Sequence, residues 1–101
     1  MVEIHELKNL VIKKIDEILP RLIEISDWIG EHPELGSEEY HSSKLLAGEL
    51  EKEGYHVEMG ILDMPTAFKA VYRGKEEGNT LAFLSEYDAL PGVGHGCGHN
   101  I

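Results

Sequence analysis

The chain has 101 residues, 42% of them hydrophobic, and its 19 acidic against 9 basic side chains give a formal charge of -10 at pH 7. That length suits one domain, or part of a larger one, with roughly two thirds of the unfolded chain's surface buried. The acidic balance would repel a phosphate backbone and excludes nucleic acid as an expected partner. No stretch nears the ~20 apolar residues of a membrane span, so a membrane is not expected either. The N-terminus, Met1-Val2-Glu3-Ile4-His5-Glu6, lacks the basic and then apolar regions of a signal peptide, which leaves the cytoplasm as the expected compartment.

From Leu7, the residues Val11, Ile15, Ile18, Leu22, Ile25 and Ile29 recur at steps of three or four and line one face of a long helix. Leu10 and Trp28 widen that stripe on one side and Ile12, Leu19 and Ile23 on the other, so the helix asks for cover on more than one side. Pro20 deletes one backbone hydrogen bond and predicts a kink, or a break into two shorter helices, near Leu19. The segment should end before Pro33. Ser37 is placed to cap a second helix, with Glu38 and Glu39 in its first turn and Tyr40, Ser43, Leu46, Ala47 and Leu50 facing inward, and Gly54 supplies the stop.

Beyond Gly54 the period changes. Tyr55, Val57, Met59 and Ile61 alternate with polar or small residues, as do Phe68, Ala70 and Tyr72, which predicts two half-exposed strands. Leu81-Ala82-Phe83-Leu84 is apolar without alternation, the pattern of a strand covered on both faces. Ser85-Glu86-Tyr87-Asp88 then falls at the carboxyl end of that strand, where open α/β sheets place ligands and reacting groups. No repeat or flexible linker divides the chain.

The segment Gly94-His95-Gly96-Cys97-Gly98-His99-Asn100 holds two histidines and the only cysteine among glycines. In an extended backbone His95, Cys97 and His99 point to one side, and a thiolate with an imidazole is a donor set suited to zinc and its neighbours. By spacing alone, the same residues suit equally a buried thiol beside a turn histidine. Asp88 reads with equal weight as a turn aspartate bonding its own backbone or as the acceptor of a ligating imidazole's second N–H. His95 reads as a structural hydrogen-bonder. His5, His41 and His56 read as solvated, and His32 as a helix-end residue near the last carbonyls.

Glu86-Tyr87-Asp88-Ala89-Leu90-Pro91-Gly92, followed by Gly94-His95-Gly96-Cys97-Gly98-His99-Asn100, resembles the metal-site segment of the peptidase M-20 family, in its aminoacylase- and dipeptidase-like amidohydrolase branch. His32-Pro33-Glu34-Leu35-Gly36, with Glu38 and Glu39 after it, resembles that family's N-terminal segment. The form Glu-Tyr-Asp-Ala-Leu-Pro-Gly with a terminal Asn looks closest to the dipeptidase subgroup. The resemblance implies an α/β fold: two N-terminal helices, then strands of a mixed sheet, the start of a zinc-peptidase-like three-layer catalytic domain. It implies that Cys97 and His99 are metal ligands and Asp88 a supporting carboxylate. Glu86 stands where other branches carry a ligating histidine, a donor that Cys97 replaces; His95 and Asn100 match the motif without a ligand role.

The resemblance further implies a divalent metal, zinc before manganese, cobalt or nickel, and a small dipeptide or N-acyl amino acid as substrate. The general-base glutamate and the remaining ligands are expected outside these residues, in a full-length homo-oligomer of which this chain is an N-terminal fragment inactive alone. Two rival readings accompany it. In one, Cys97 is a nucleophile with His95 or His99 as its base; in the other, the chain is a small non-catalytic metal-binding module.

Overall fold

A computed structural model describes residues 3–101. Two helices precede a two-stranded antiparallel sheet, the content of an incomplete α/β domain: α1 (Ile4–Glu31), α2 (Tyr40–Lys52), β1 (His56–Met59) and β2 (Phe68–Val71).

Helix α1 runs unbroken through Pro20, so the expected division into two helices does not occur. The proline leaves the Asp16 carbonyl without its helical N–H, a loss tolerated on a face open to water. Only the carboxyl end of the apolar stripe is covered: Ile25 and Ile29 are buried, whereas Leu7, Val11, Ile15 and Leu22 remain exposed. The covering element is α2, held by the Arg21 guanidinium, which donates to both Glu49 carboxylate oxygens at 3.1 and 2.9 Å. At the end of α1 the His32 ring stacks on Trp28 with centroids 4.1 Å apart, and its Nδ1 lies 2.7 Å from the Trp28 carbonyl oxygen, as expected for a helix-end histidine. Pro33 then ends the helical path.

The start of α2 corrects the expected cap. Ser37 sits in the left-handed region at φ 68° and makes no cap; the helix begins at Tyr40. Its free N–H groups are satisfied from outside, because the Glu34 carboxylate accepts from the backbone of His41 at 3.0 Å and of Ser42 at 2.7 Å. Burial alone would push the Glu34 carboxyl up, but these backbone bonds, with the His41 ring 3.1 Å away, hold it down at about 2. Of the expected inner face, Ser43 and Ala47 are buried together with Ser42, Leu46 and Leu50 are half-buried, and Tyr40 is exposed. Gly54, at φ 94°, turns the chain out of the helix, and the Tyr55 N–H returns to the Leu50 carbonyl at 3.0 Å.

Strands β1 and β2 form a hairpin with Val57 opposite Ala70 and Met59 opposite Phe68, matching the two expected alternating segments. A single 3-10 turn, Ile61–Asp63, opens the connection, and the Gly60 N–H donates to the Ala67 carbonyl at 2.8 Å. Helix α2 packs against both strands and against α1, and so stands at the centre of the fold.

Leu81–Leu84 does not form the doubly covered strand that its composition predicts. It has no regular structure, and Leu81, Phe83 and Leu84 are 81%, 88% and 99% exposed. A strand of that type needs neighbours on both edges and layers on both faces. The described residues supply only the hairpin, and the segment does not pair with it. The parallel pairing expected of a mixed sheet survives as one isolated bridge, Leu35 with Ala89.

Candidate metal centre

The candidate site lies in residues 85–101, a segment without helix or strand that is fastened to the loop between α1 and α2. The Ala89 N–H donates to the Glu34 carbonyl at 2.7 Å, and Ala89 is buried. Glu34 thus holds the start of α2 with its side chain and the site segment with its backbone. Further on, the Leu90 N–H bonds the Gly94 carbonyl at 2.9 Å, closing a tight loop that rests on the Pro33 ring.

From there the backbone proceeds by turns, not as the extended run expected for His95, Cys97 and His99. Gly98 has φ 83°, a left-handed conformation that a side chain would strain, and its N–H returns to the His95 carbonyl at 2.9 Å. Turning, not alternation, therefore decides where these side chains go. The His99 ring moves beside Asp88, with Nδ1 2.7 Å from Asp88 Oδ1 and 3.2 Å from the Asp88 carbonyl oxygen. Its other nitrogen, Nε2, lies 3.4 Å from Glu86 Oε2. The Asp88 carboxylate is thus paired with the His99 ring.

Hydrogen bonding to Asp88 raises the His99 pKa above the ordinary 6.5 against an opposing desolvation, with the nearby Asp88 and Glu86 charges adding to the rise. Glu86, Asp88 and His99 each offer one donor atom, and these atoms all lie within 4.8 Å of one another. Carboxylate oxygen and imidazole nitrogen suit a small divalent ion. A carboxylate on the far ring nitrogen is the usual support of a ligating histidine, fixing which nitrogen is free to bind. The donor set therefore fits such an ion.

The remaining site residues are more scattered. Cys97 is exposed, and its thiol donates to the Asp88 carbonyl oxygen at 3.7 Å. It therefore borders the cluster without an imidazole as hydrogen-bond partner, which weakens the reading of Cys97 as a base-activated nucleophile. His95 contradicts its expected role as a hydrogen-bonder: both ring nitrogens are buried and neither has a partner. The Asn100 amide reaches back to α1 and donates to the Ser26 carbonyl at 3.4 Å. Tyr87, between the two acidic residues, donates its hydroxyl to the Thr66 carbonyl at 2.5 Å. Burial first, then the Glu39 and Glu34 charges, push its pKa up to about 12. His5, His41 and His56 are exposed, as expected.

Sequence reasoning missed Glu34 and gave Glu86 no role. The Glu34 cap acts across seven residues and leaves no local spacing signal. Glu86 was identifiable from its place two residues before Asp88, which in a polar segment allows both carboxylates to reach one ring.

A histidine oriented by a carboxylate, with further anionic donors around it, is a donor arrangement that metal sites use. No family model matches the chain. It is, however, 37% identical over 110 residues to the Xaa-Arg dipeptidase of Homo sapiens, covering 98% of this chain and 25% of that protein. It is 38% identical over 111 residues to thermostable carboxypeptidase 1 of Saccharolobus solfataricus, covering 96% and 27%. To one of the subunits of the p-aminobenzoyl-glutamate hydrolase of Escherichia coli it is 34% identical over 115 residues, covering 96% and 23%. The chain belongs to the peptidase M-20 family of peptidases and amidohydrolases. It spans about a quarter of the length of the curated relatives it matches. No helix among the described residues is long and apolar enough to cross a membrane.

Proposed function

We propose that this chain supplies part of the metal centre of a hydrolase that cleaves the amide bond of a small dipeptide or N-acyl amino acid. The observation that carries the reading is the 2.7 Å contact between His99 Nδ1 and Asp88 Oδ1, which turns Nε2 away from Asp88 and toward Glu86. His99 Nε2 and the Cys97 thiolate are the proposed ligands, and Asp88 is the support that keeps the proton on Nδ1. Glu86, 3.4 Å from Nε2, is within reach of the same ion. A divalent ion held there, zinc by the thiolate and imidazole in the donor set, supplies Lewis acidity toward an amide carbonyl and toward water.

The chain's own residues prepare that chemistry. Asp88 accepts the Nδ1 proton and raises the donor strength of Nε2, the Gly98 turn aims the ring, and the Ala89–Glu34 bond fixes the carboxylate's backbone. The names of the relatives, a dipeptidase, a carboxypeptidase and an aminobenzoyl-glutamate hydrolase, agree on an amide bond beside an amino acid as the bond attacked. Because the chain covers about a quarter of those proteins, we place the proton-accepting glutamate and the remaining ligands outside these residues and expect the 101 residues alone to be inactive.

Chelation tests the reading. Amidase activity of the intact gene product should fall to background with a chelator and return with added zinc or manganese. Activity that survives chelation and is lost on thiol alkylation would replace this reading with a thiol hydrolase.

A further inference from the structure

Asp88 and His99 lie eleven positions apart in a segment without regular structure, and yet their side chains meet at 2.7 Å. Each is flanked by a residue bound to the same end of α1 or to the chain just beyond it. Next to Asp88, the Ala89 N–H is held by the Glu34 carbonyl at 2.7 Å. Next to His99, the Asn100 amide donates to the Ser26 carbonyl at 3.4 Å and to the Ser26 hydroxyl at 3.5 Å. These contacts of Asn100 span 74 positions and are the only side-chain hydrogen bonds from residues 95–101 to a helix among the described residues.

A second observation lies at Gly30. A Cβ there would sit 3.0 Å from Asn100 Nδ2, closer than ordinary van der Waals contact. The bare backbone of Gly30 is therefore what lets the amide settle against α1. His99 and Asn100 are the middle residues of one turn, closed by the Ile101 N–H on the Gly98 carbonyl at 3.1 Å. A turn whose adjacent side chains are bound in two directions cannot rotate one without straining the other.

We infer that Asn100 is a positioning residue: by bonding Ser26 and seating its amide against Gly30, it fixes the turn that presents the His99 ring to Asp88 and to a divalent cation. The inference rests on the proposed metal centre for its consequence, but the geometry it explains is present without metal. The carboxyl end of α1 and the residues just after it set the distance between the two halves of the carboxylate–imidazole pair. Asn100 and Gly30 act through the His99 ring and are not themselves ligands.

The test uses the intact gene product and two substitutions, Asn100→Ala and Gly30→Ala. Alanine at position 30 favours helix over glycine, so that variant should keep or raise its melting temperature while displacing the amide. In the metal-free protein, nitrogen-15 shifts of the His99 ring should report a proton fixed on Nδ1 in the wild type. In both variants they should report averaging between the two ring nitrogens. Zinc titrated calorimetrically should bind each variant at least tenfold more weakly than the wild type. Unchanged ring shifts in both variants overturn the inference, as does unchanged zinc affinity in both. If wild-type zinc binding is absent, or persists in His99→Ala, the metal-centre reading fails, and the ring shifts alone then decide the role of Asn100.

Discussion

Replacing Glu34 by alanine should loosen α2 and the site segment together, and its pH signature is distinctive. The carboxylate is 14% exposed and accepts the N–H groups of His41 and Ser42 at the start of α2. Its drop from the ordinary 4.5 to about 2 corresponds to ~3 kcal/mol at neutral pH, an upper figure. A helix cap by itself contributes ~1 kcal/mol, so the expected loss in Glu34→Ala is about 2 kcal/mol. Because the folded-state pKa is depressed, this stability is present above pH 4.5 and disappears as the pH falls toward 2. Urea unfolding followed by far-ultraviolet circular dichroism reads it directly. With a slope of ~1–3 kcal/mol per molar urea, the midpoint at pH 7 should drop by about 1 M in the variant. Near pH 2 the two midpoints should converge. Other carboxylates with lowered pKa, such as Glu49 beside Arg21, are common to both proteins and cancel in the difference. Equal midpoints at pH 7, or a gap that persists unchanged to pH 2, would refute the assignment of Glu34 as the cap.

Three further outcomes are expected. Asp88→Asn should bring the His99 titration midpoint, followed by proton NMR, down toward 6.5, and should weaken zinc binding by ~10–100-fold. Tyr87→Phe leaves the Thr66 carbonyl without its partner and should cost ~1–2 kcal/mol in the same urea assay. In the wild type, stability should fall as the pH rises from 10 toward 12, because the unfolded tyrosine ionises first, and Tyr87→Phe should flatten that decline. Phe83→Ala should change the stability of this chain by less than ~0.5 kcal/mol, since Phe83 is 88% exposed; a loss above ~2 kcal/mol would show that the segment is buried in solution.

Elements whose signal is local were legible from the sequence. The stripe of α1, the Gly54 stop and the alternation of β1 and β2 all depend on neighbours within a few positions, and all appear in the fold. Leu81–Leu84 was not legible in the same way, because an apolar run states what a strand needs and not whether its neighbours are present. The start of α2 was misplaced for a related reason: Ser37 has the chemistry of a cap, but a carboxylate three positions earlier, Glu34, reaches the helix instead. At the site, residue types were informative and geometry was not. Extended spacing would have aligned His95, Cys97 and His99, whereas the turn at Gly98 sends His99 to Asp88 and leaves both His95 nitrogens unpartnered. Only a backbone that turns at glycines brings residues 88 and 99 together, and glycine composition does not say which way it turns.

X-ray absorption spectroscopy of the zinc-loaded protein tests the metal centre most directly. One equivalent of zinc should bind with a sulfur neighbour at ~2.3 Å and nitrogen or oxygen neighbours at ~2.0–2.1 Å. The sulfur should vanish in Cys97→Ser and the imidazole scattering in His99→Ala. Zinc bound at full stoichiometry without a sulfur neighbour, or with scattering unchanged in His99→Ala, would contradict the proposed metal centre.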